Sequence, residues 1–174
     1  MAVAISLDEY LTKQHISYEV YKHRSTETAL DSSRSAKLPP LQVAKAVILE
    51  DSEGNLLMAT VPAAHRVSIN RINMLTNNEY KLVNETRLMG LFPDCKKGAI
   101  PSVGAAYDFP MMVDDELLSC PQVYIEAGDH QRLLKIDGNE FRHLMADKPH
   151  GEIHCGLLWH QSMRERRADW KWFP

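Results

Sequence analysis

Val43-Ala-Lys-Ala-Val-Ile-Leu-Glu50 and Leu56-Leu-Met-Ala-Thr-Val61, joined by Asp51-Ser-Glu-Gly-Asn55, decide how the fold is read. Both flanks are β-prone, and the Gly and Asn between them suit a turn with positive φ, so the stretch predicts a β-hairpin. The first strand is largely apolar on both alternating faces, with Val43, Val47 and Leu49 on one and Ala44, Ala46 and Ile48 on the other. Lys45 interrupts the first set. A lysine in that setting either snorkels to water from a strand end or is partly desolvated and needs an anionic partner. In the second case it is a fixed cation for a phosphate or a polarised carbonyl.

Towards the N-terminus, Ser6-Leu-Asp-Glu9 reads as a capping box opening a helix over about 6–15. Tyr18-Glu-Val-Tyr-Lys22 alternates like a half-buried strand, and Ser25 or Thr26 is placed to cap a second short helix, which Leu38-Pro39-Pro40-Leu41 cannot continue. Towards the C-terminus, Ser68 to Thr76 and Asn84 to Phe92 predict helices, with a short strand at Tyr80-Lys-Leu-Val83 between them. Met111 to Val113, Val123 to Ala127 and Arg132 to Ile136 read as strands, the last two forming a hairpin through Gly128-Asp129-His130. Asp137-Gly-Asn-Glu140 is a second capping box, for a helix ending near Met145. Helices and strands are interspersed without a strict βαβ rhythm, so the fold class is mixed α/β, a mixed sheet with helices packed around it.

The 174 residues, 44% apolar and 25% charged, fit one globular domain that needs neither disulfides nor a structural metal. A body over 1–146 is followed by an extension over 147–174 of different character: Trp159, Trp170 and Trp172 lie there beside Arg164, Arg166, Arg167 and Lys171. The extension either docks its tryptophans on the body or contacts RNA or a protein. A formal charge of −3 argues against wrapping nucleic acid by bulk electrostatics and leaves room for a local contact. No apolar run approaches the ~18 residues that cross a bilayer, and MAVAISLDEYL lacks the basic start and long apolar middle of a signal peptide. A cytoplasmic location with no membrane partner is expected. Cys95, Cys120 and Cys155 are odd in number and far apart, so no disulfide framework is implied.

A second chemical candidate is the loop Gly98-Ala99-Ile100-Pro101-Ser102-Val103-Gly104. Its glycines let a ligand approach backbone N–H groups and its proline stiffens the turn, although it matches neither a P-loop nor Gly-x-Gly-x-x-Gly, and a plain surface loop is the bland alternative. His23 and His65 follow strands and His130 sits in a hairpin turn, positions from which a side chain reaches a cleft at a sheet edge. His150-Gly-Glu-Ile-His154-Cys155, with His160 nearby, has donors at metal-like spacing, but Gly151 speaks against a helical pair, and no metal or other cofactor is expected. Cys95 beside Lys96 and Lys97 is either a thiol of depressed pKa or an ordinary surface thiol. Gly-x-Ser-x-Gly and His-Glu-x-x-His are absent. A cation and a shaped backbone without an evident nucleophile suit stabilisation of an oxyanion more than covalent catalysis.

Four segments in order, Val43-Ala-Lys45-Ala-Val-Ile-Leu, Met58-Ala-Thr-Val-Pro62-Ala-Ala-His65-Arg-Val, Leu91-Phe-Pro-Asp-Cys-Lys-Lys-Gly98-Ala-Ile-Pro101-Ser-Val-Gly104 and Val123-Tyr-Ile-Glu-Ala-Gly128, resemble the YbaK/prolyl-tRNA synthetase-associated editing domain. The resemblance covers about residues 6–146. It implies a curved mixed sheet with surrounding helices, and a free-standing deacylase that hydrolyses the ester between a wrong amino acid and the 3′ end of its tRNA, possible partners being that tRNA end and an aminoacyl-tRNA synthetase. Lys45 falls on the family's lysine, which helps place the tRNA end or its aminoacyl group. Gly98, Ala99, Ile100 and Pro101 fall on the glycine/proline loop whose amides contact the substrate carbonyl and terminal adenosine. Substrate contacts are expected from His23, Ala46, Met58, His65, Ser102, Val103, Gly128 and His130, with Ala46, Met58, Ile100 and Val103 lining a pocket that selects by size. Two departures bear on specificity: Lys97 stands where many members have a further glycine, and Ala46 where the alanine-editing branch commonly has a polar residue. Alanine, serine, threonine and cysteine all stay open as the amino acid removed. Two other classes also stay open, a non-catalytic domain that binds aminoacyl-tRNA or a synthetase, and a metal- or cysteine-dependent hydrolase using His150, His154 and Cys155, or Cys95.

Overall fold

The computed structural model describes residues 3–157. The hairpin of β2 (Ala44–Glu50) and β3 (Leu56–Pro62) is its spine, in register from Ala44 opposite Pro62 to Glu50 opposite Leu56. Its turn is organised by Asp51, whose carboxylate accepts from the amides of Glu53 and Asn55 and from the side chains of Asn55 and Asn78. These bonds hold the carboxyl down to about 2.

The predicted mixed α/β fold is present, with the strands of the described residues distributed over three sheets. The largest is five-stranded: β5 (Lys81–Leu82), β2, β3, β6 (Met111–Asp114) and β9 (His150–Gly151), in that order. β6 runs parallel to β3 and to β9, while β2 is antiparallel to both its neighbours. Beside it lies an antiparallel sheet of β1 (Glu19–Lys22), β8 (Arg132–Asp137) and β7 (Gln122–Glu126), connected to β2 by a bridge between Val43 and Tyr124. A third sheet pairs β4 (His65–Val67) with β10 (His154–Leu157). Strands β9 and β10 bring the start of the 147–174 extension onto the body; Trp159, His160, Arg164, Arg166, Arg167, Trp170, Lys171 and Trp172 lie outside the described residues. Among the described residues no helix is long and apolar enough to cross a membrane.

Among the described residues six α-helices surround the sheets: α1 (Ile5–Lys13), α2 (Ala29–Ser35), α3 (Ile69–Thr76), α4 (Glu85–Leu91), α5 (Asp115–Leu118) and α6 (Gly138–Leu144). Ser68, Asn84 and Asp137 cap α3, α4 and α6 with their side chains, as their positions predict. Three details differ from expectation. Ser6 lies inside α1, and its amide donates to Asp94 Oδ2 from 88 residues away. Thr28, not Ser25 or Thr26, caps α2; Thr26 is engaged with Ser32 Oγ and its amide with the His130 carbonyl. Glu140 does not close the second capping box but accepts from the Ser17 amide.

Alternation along the hairpin separates two cores. Ala44 and Ile48 of β2 and Met58 of β3 enter the main core with Leu7 and Leu11 of α1, Val103, Val113, Ile125 and Phe141, and Ala46 packs against it. Leu49, Leu57, Ala59 and Val61 face the other way, into a smaller core with Ile72, Met112 and Ile153, and Val47 packs there. Lys45 follows the second set, opposite Val61.

Candidate functional site

The Gly98–Gly104 loop lies on the main-core face of the hairpin. Thr60 Oγ1 donates to the Ser102 carbonyl at 3.1 Å, and Thr60 is the cross-strand partner of Ala46, so the loop is fastened beside Ala46. Its leading edge is tied to the β7–β8 turn: the Lys96 amide donates to the Gly128 carbonyl at 2.8 Å and His130 Nε2 donates to the Lys97 carbonyl at 2.7 Å. That turn is itself drawn tight by Glu126, a buried carboxylate that accepts from the amides of Gly128, Asp129 and His130 at 3.1–3.3 Å. Gly128, at φ +108°, leaves no room for a side chain, since a Cβ there would sit 2.9 Å from Ala4 Cβ. The chain entering from β1 joins the same region, with the His23 amide on the Gln131 carbonyl and His23 Nδ1–H on the Arg24 carbonyl. The ring's Nε2 is enclosed and has no partner among the described residues.

Within the loop Ala99, Pro101, Ser102 and Val103 are buried, whereas Gly98 is exposed and Ile100 half-buried. The Ala99 amide closes a turn onto the Lys96 carbonyl. Among the described residues the amides of Gly98 and Ile100 donate to nothing, so two N–H groups flank Ala99 with their capacity unspent. A cavity of about 300 Å³ opens beside them, with Leu88, Phe92 and Ile100 as its apolar surface and Lys97 and Gly98 at its side. Of the four residues expected to shape a pocket, Ile100 lines this cavity. Met58 and Val103, 0% and 1% exposed, belong to the closed core, and Ala46 packs against it.

Cys95 also lines the cavity, but as neither a surface thiol nor an activated one. Burial pushes its pKa up to about 12, with its Sγ 3.2 Å from the Tyr107 hydroxyl and Asp94 alongside. The charges of Lys96 and Lys97 do not overcome that desolvation.

Lys45 and His65 stand apart from this loop, on the other face. The Lys45 ammonium donates to the His65 carbonyl, a dipole where an anionic partner was expected. Burial holds its pKa down to about 8, and the Arg66 guanidinium pushes the same way. One bond to His65 leaves two of the three ammonium protons for a ligand.

The His65 side chain reveals a constellation that spacing did not show. Its Nε2 lies 2.6 Å from Glu116 Oε2, its ring stacks on His154 with centroids 4.1 Å apart, and His154 Nδ1 lies 2.8 Å from the fully buried Asp114 carboxylate. His150 and Cys155, grouped with His154 by sequence, go elsewhere: His150 pairs with Asp115, and Cys155 is exposed on β10. Asp114 and Glu116 carried no signal of their own, since Asp114-Asp-Glu116 reads as an ordinary helix start.

A model of the aminoacyl-tRNA editing domain family matches residues 23–144. Comparison with curated protein sequences gives no match. Among solved structures, the hypothetical protein APE2540 superposes with a TM-score of 0.76 at 18% identity, over 86% of this chain and 99% of that one. A proposed trans-editing enzyme for prolyl tRNA synthetase superposes with a TM-score of 0.73 at 19% identity, over 88% and 97%. A signal-transduction protein assigned in Marinobacter aquaeolei VT8 gives 0.68 at 14% identity, over 87% of this chain and 31% of that one. At these identities the likenesses speak for the fold. The family match takes in 122 of the 174 residues, with Lys45 and the Gly98–Gly104 loop inside it, and the chain therefore belongs to the aminoacyl-tRNA editing domain family.

Proposed function

We propose that this protein is a trans-editing hydrolase that removes the amino acid from mischarged aminoacyl-tRNA. The observation that carries the reading is the pair of unspent amides at Gly98 and Ile100, set beside a cavity in a chain of the editing family. Water adds to the ester carbonyl, and the charge that develops on its oxygen is met by the two amides, which have no competing acceptor among the described residues to give up. Collapse of the adduct expels the ribose oxygen, which takes up the proton the water gives away. An aminoacyl ester is reactive enough for positioning and oxyanion stabilisation to supply much of the acceleration.

Lys45 acts on another part of the substrate. It lies in the part of β2 that β5 does not cover, since β5 pairs only with Leu49 and Glu50. An extended tRNA 3′ end can touch the loop with its aminoacyl group and Lys45 with a phosphate. His130 and Gly128 hold the loop, His23 lies at the same turn, Ser102 is fastened to Thr60, and Ala46 and the cavity-lining Ile100 pack against the core that contains Met58 and Val103. A synthetase is the natural source of the mischarged tRNA, and the likeness to a proposed trans-editing enzyme supports a partner of that kind.

The test is a panel of tRNAs mischarged with alanine, serine, threonine and cysteine. Hydrolysis of at least one, lost in Lys45→Ala with the fold intact, is expected; undiminished hydrolysis in that variant removes the role given to Lys45. A second reading, binding without turnover, is favoured by one observation: the Ser102 hydroxyl in the loop and the Cys95 thiol beside it are respectively buried and held protonated. Tight binding without hydrolysis across the panel would establish it.

A further inference from the structure

We propose that His65, Glu116 and His154 form a site for a divalent transition-metal ion of the zinc class. One ligand atom from each, contributed by β4, α5 and β10, lies within 4.8 Å of the others.

The hydrogen bonds around the three residues orient them for this. A backbone carbonyl only accepts, so His65 Nδ1, 3.2 Å from the Gly156 oxygen, carries the ring proton and Nε2 presents a lone pair to Glu116. His154 is set the same way. Its Nδ1 lies against Asp114 Oδ2, and Asp114 is held in turn by the amides of Ile153 and Glu116, leaving Nε2 3.8 Å from Glu116 Oε2. A carboxylate or carbonyl on the far nitrogen of each histidine is the usual support of a metal-ligating imidazole. Three lone-pair acceptors thus converge, and a cation, either a proton or a metal, has to sit among them.

Tetrahedral zinc, with bonds of about 2.0–2.1 Å, sets its ligand atoms roughly 3.3 Å apart. The 2.6 Å pair must open by about 0.7 Å and the 3.8 Å pair must close by about 0.5 Å, which a shift of Glu116 Oε2 by roughly 1 Å away from His65 and towards His154 accomplishes. Glu116 has that freedom, its side chain being 32% exposed. Two imidazoles and one carboxylate favour zinc and its neighbours over calcium or magnesium, which prefer oxygen, and leave a fourth position for water. The site departs from the expectation of no metal and from the grouping of His154 with His150 and Cys155. It would clamp β10 onto the body beside Lys45, which already rests on the His65 carbonyl. It does not depend on the deacylase reading, because binding is measured without tRNA.

The experiment uses the full chain, stripped with chelator, dialysed and titrated calorimetrically with zinc chloride, with cobalt(II) absorption as an independent report of tetrahedral coordination. One zinc per chain with micromolar or tighter affinity is expected. Glu116→Gln, at an exposed side chain, should weaken binding at least tenfold, and Asp114→Asn, acting through His154, by about 10–100-fold. His65→Ala and His154→Ala should abolish it, with circular dichroism recorded to confirm the fold, while His150→Ala and Cys155→Ser should bind as the parent does. The proposal is overturned if the parent shows no saturable zinc binding, as it would were a proton the sole occupant. Full affinity in Glu116→Gln, or loss in Cys155→Ser or His150→Ala, would also overturn it.

Discussion

The two faces of the β2–β3 hairpin gather their polar groups in opposite ways. On the Ala46 face the polar groups are backbone amides, aimed by turns and tethers, and the surrounding side chains are mostly apolar. On the Lys45 face they are side chains, an ammonium, two imidazoles and two carboxylates, drawn together by strands and a short helix distant in sequence. The first arrangement tolerates side-chain changes as long as the backbone path is kept. The second depends on side-chain identity.

The largest predicted effect tests whether both faces serve one reaction. Lys45→Ala should lower deacylation about 100-fold, the scale of losing one well-placed electrostatic donor. An equal loss on substrates lacking the upstream phosphates would move Lys45 to the carbonyl and erase the division of labour. Next is the backbone face: Gly128→Ala forces a Cβ against Ala4 at a left-handed φ and should destabilise the protein by about 2 kcal/mol in urea unfolding. An unchanged midpoint would show that the tether is slack. His130→Ala removes the bond to the Lys97 carbonyl, and a loss of about 1 kcal/mol is expected to appear mainly as a raised KM. A fall in kcat alone would instead place the imidazole at the reacting atoms.

A separate effect is in pH. Lys45 holds its proton to about 8 when folded and to the ordinary 10.5 when unfolded. Between those values the unfolded chain binds more protons, so the lysine's contribution to stability rises with pH across that window, and below it the cost of burying the cation is present in full. The stability of Lys45→Met relative to the parent should therefore be greatest at neutral pH and decline towards pH 10.5. A flat difference would mean that the ammonium is hydrated.

The hairpin, the α3, α4 and α6 caps and the Gly128–His130 turn were legible in sequence because each is decided within a few residues, by alternation, by a capping side chain or by a left-handed backbone. Ser6 and Thr26 misled for the converse reason. Their groups are claimed by Asp94, Ser32 and His130, and a local rule cannot see such competitors. The same limit governs the candidate sites. The Gly98–Pro101 loop is one continuous segment and its character shows in composition, whereas Glu116 meets His65 across 51 residues and Asp114 meets His154 across 40. Lys45 was legible as an anomaly, but its partner, a carbonyl on β4, was not.

Strand β10 lies beyond the segment that defines the family, and this matters for anyone trimming the protein. A fragment ended at residue 144 would lose Ile153 from the smaller core, exposing Leu57, Val61 and Ile72 on that side, and would strip the enclosed Asp114 carboxylate of the amide and imidazole that hold it. Such a fragment would keep the recognisable motifs yet precipitate or bind nonspecifically, and inactivity measured on it would say nothing about the full chain.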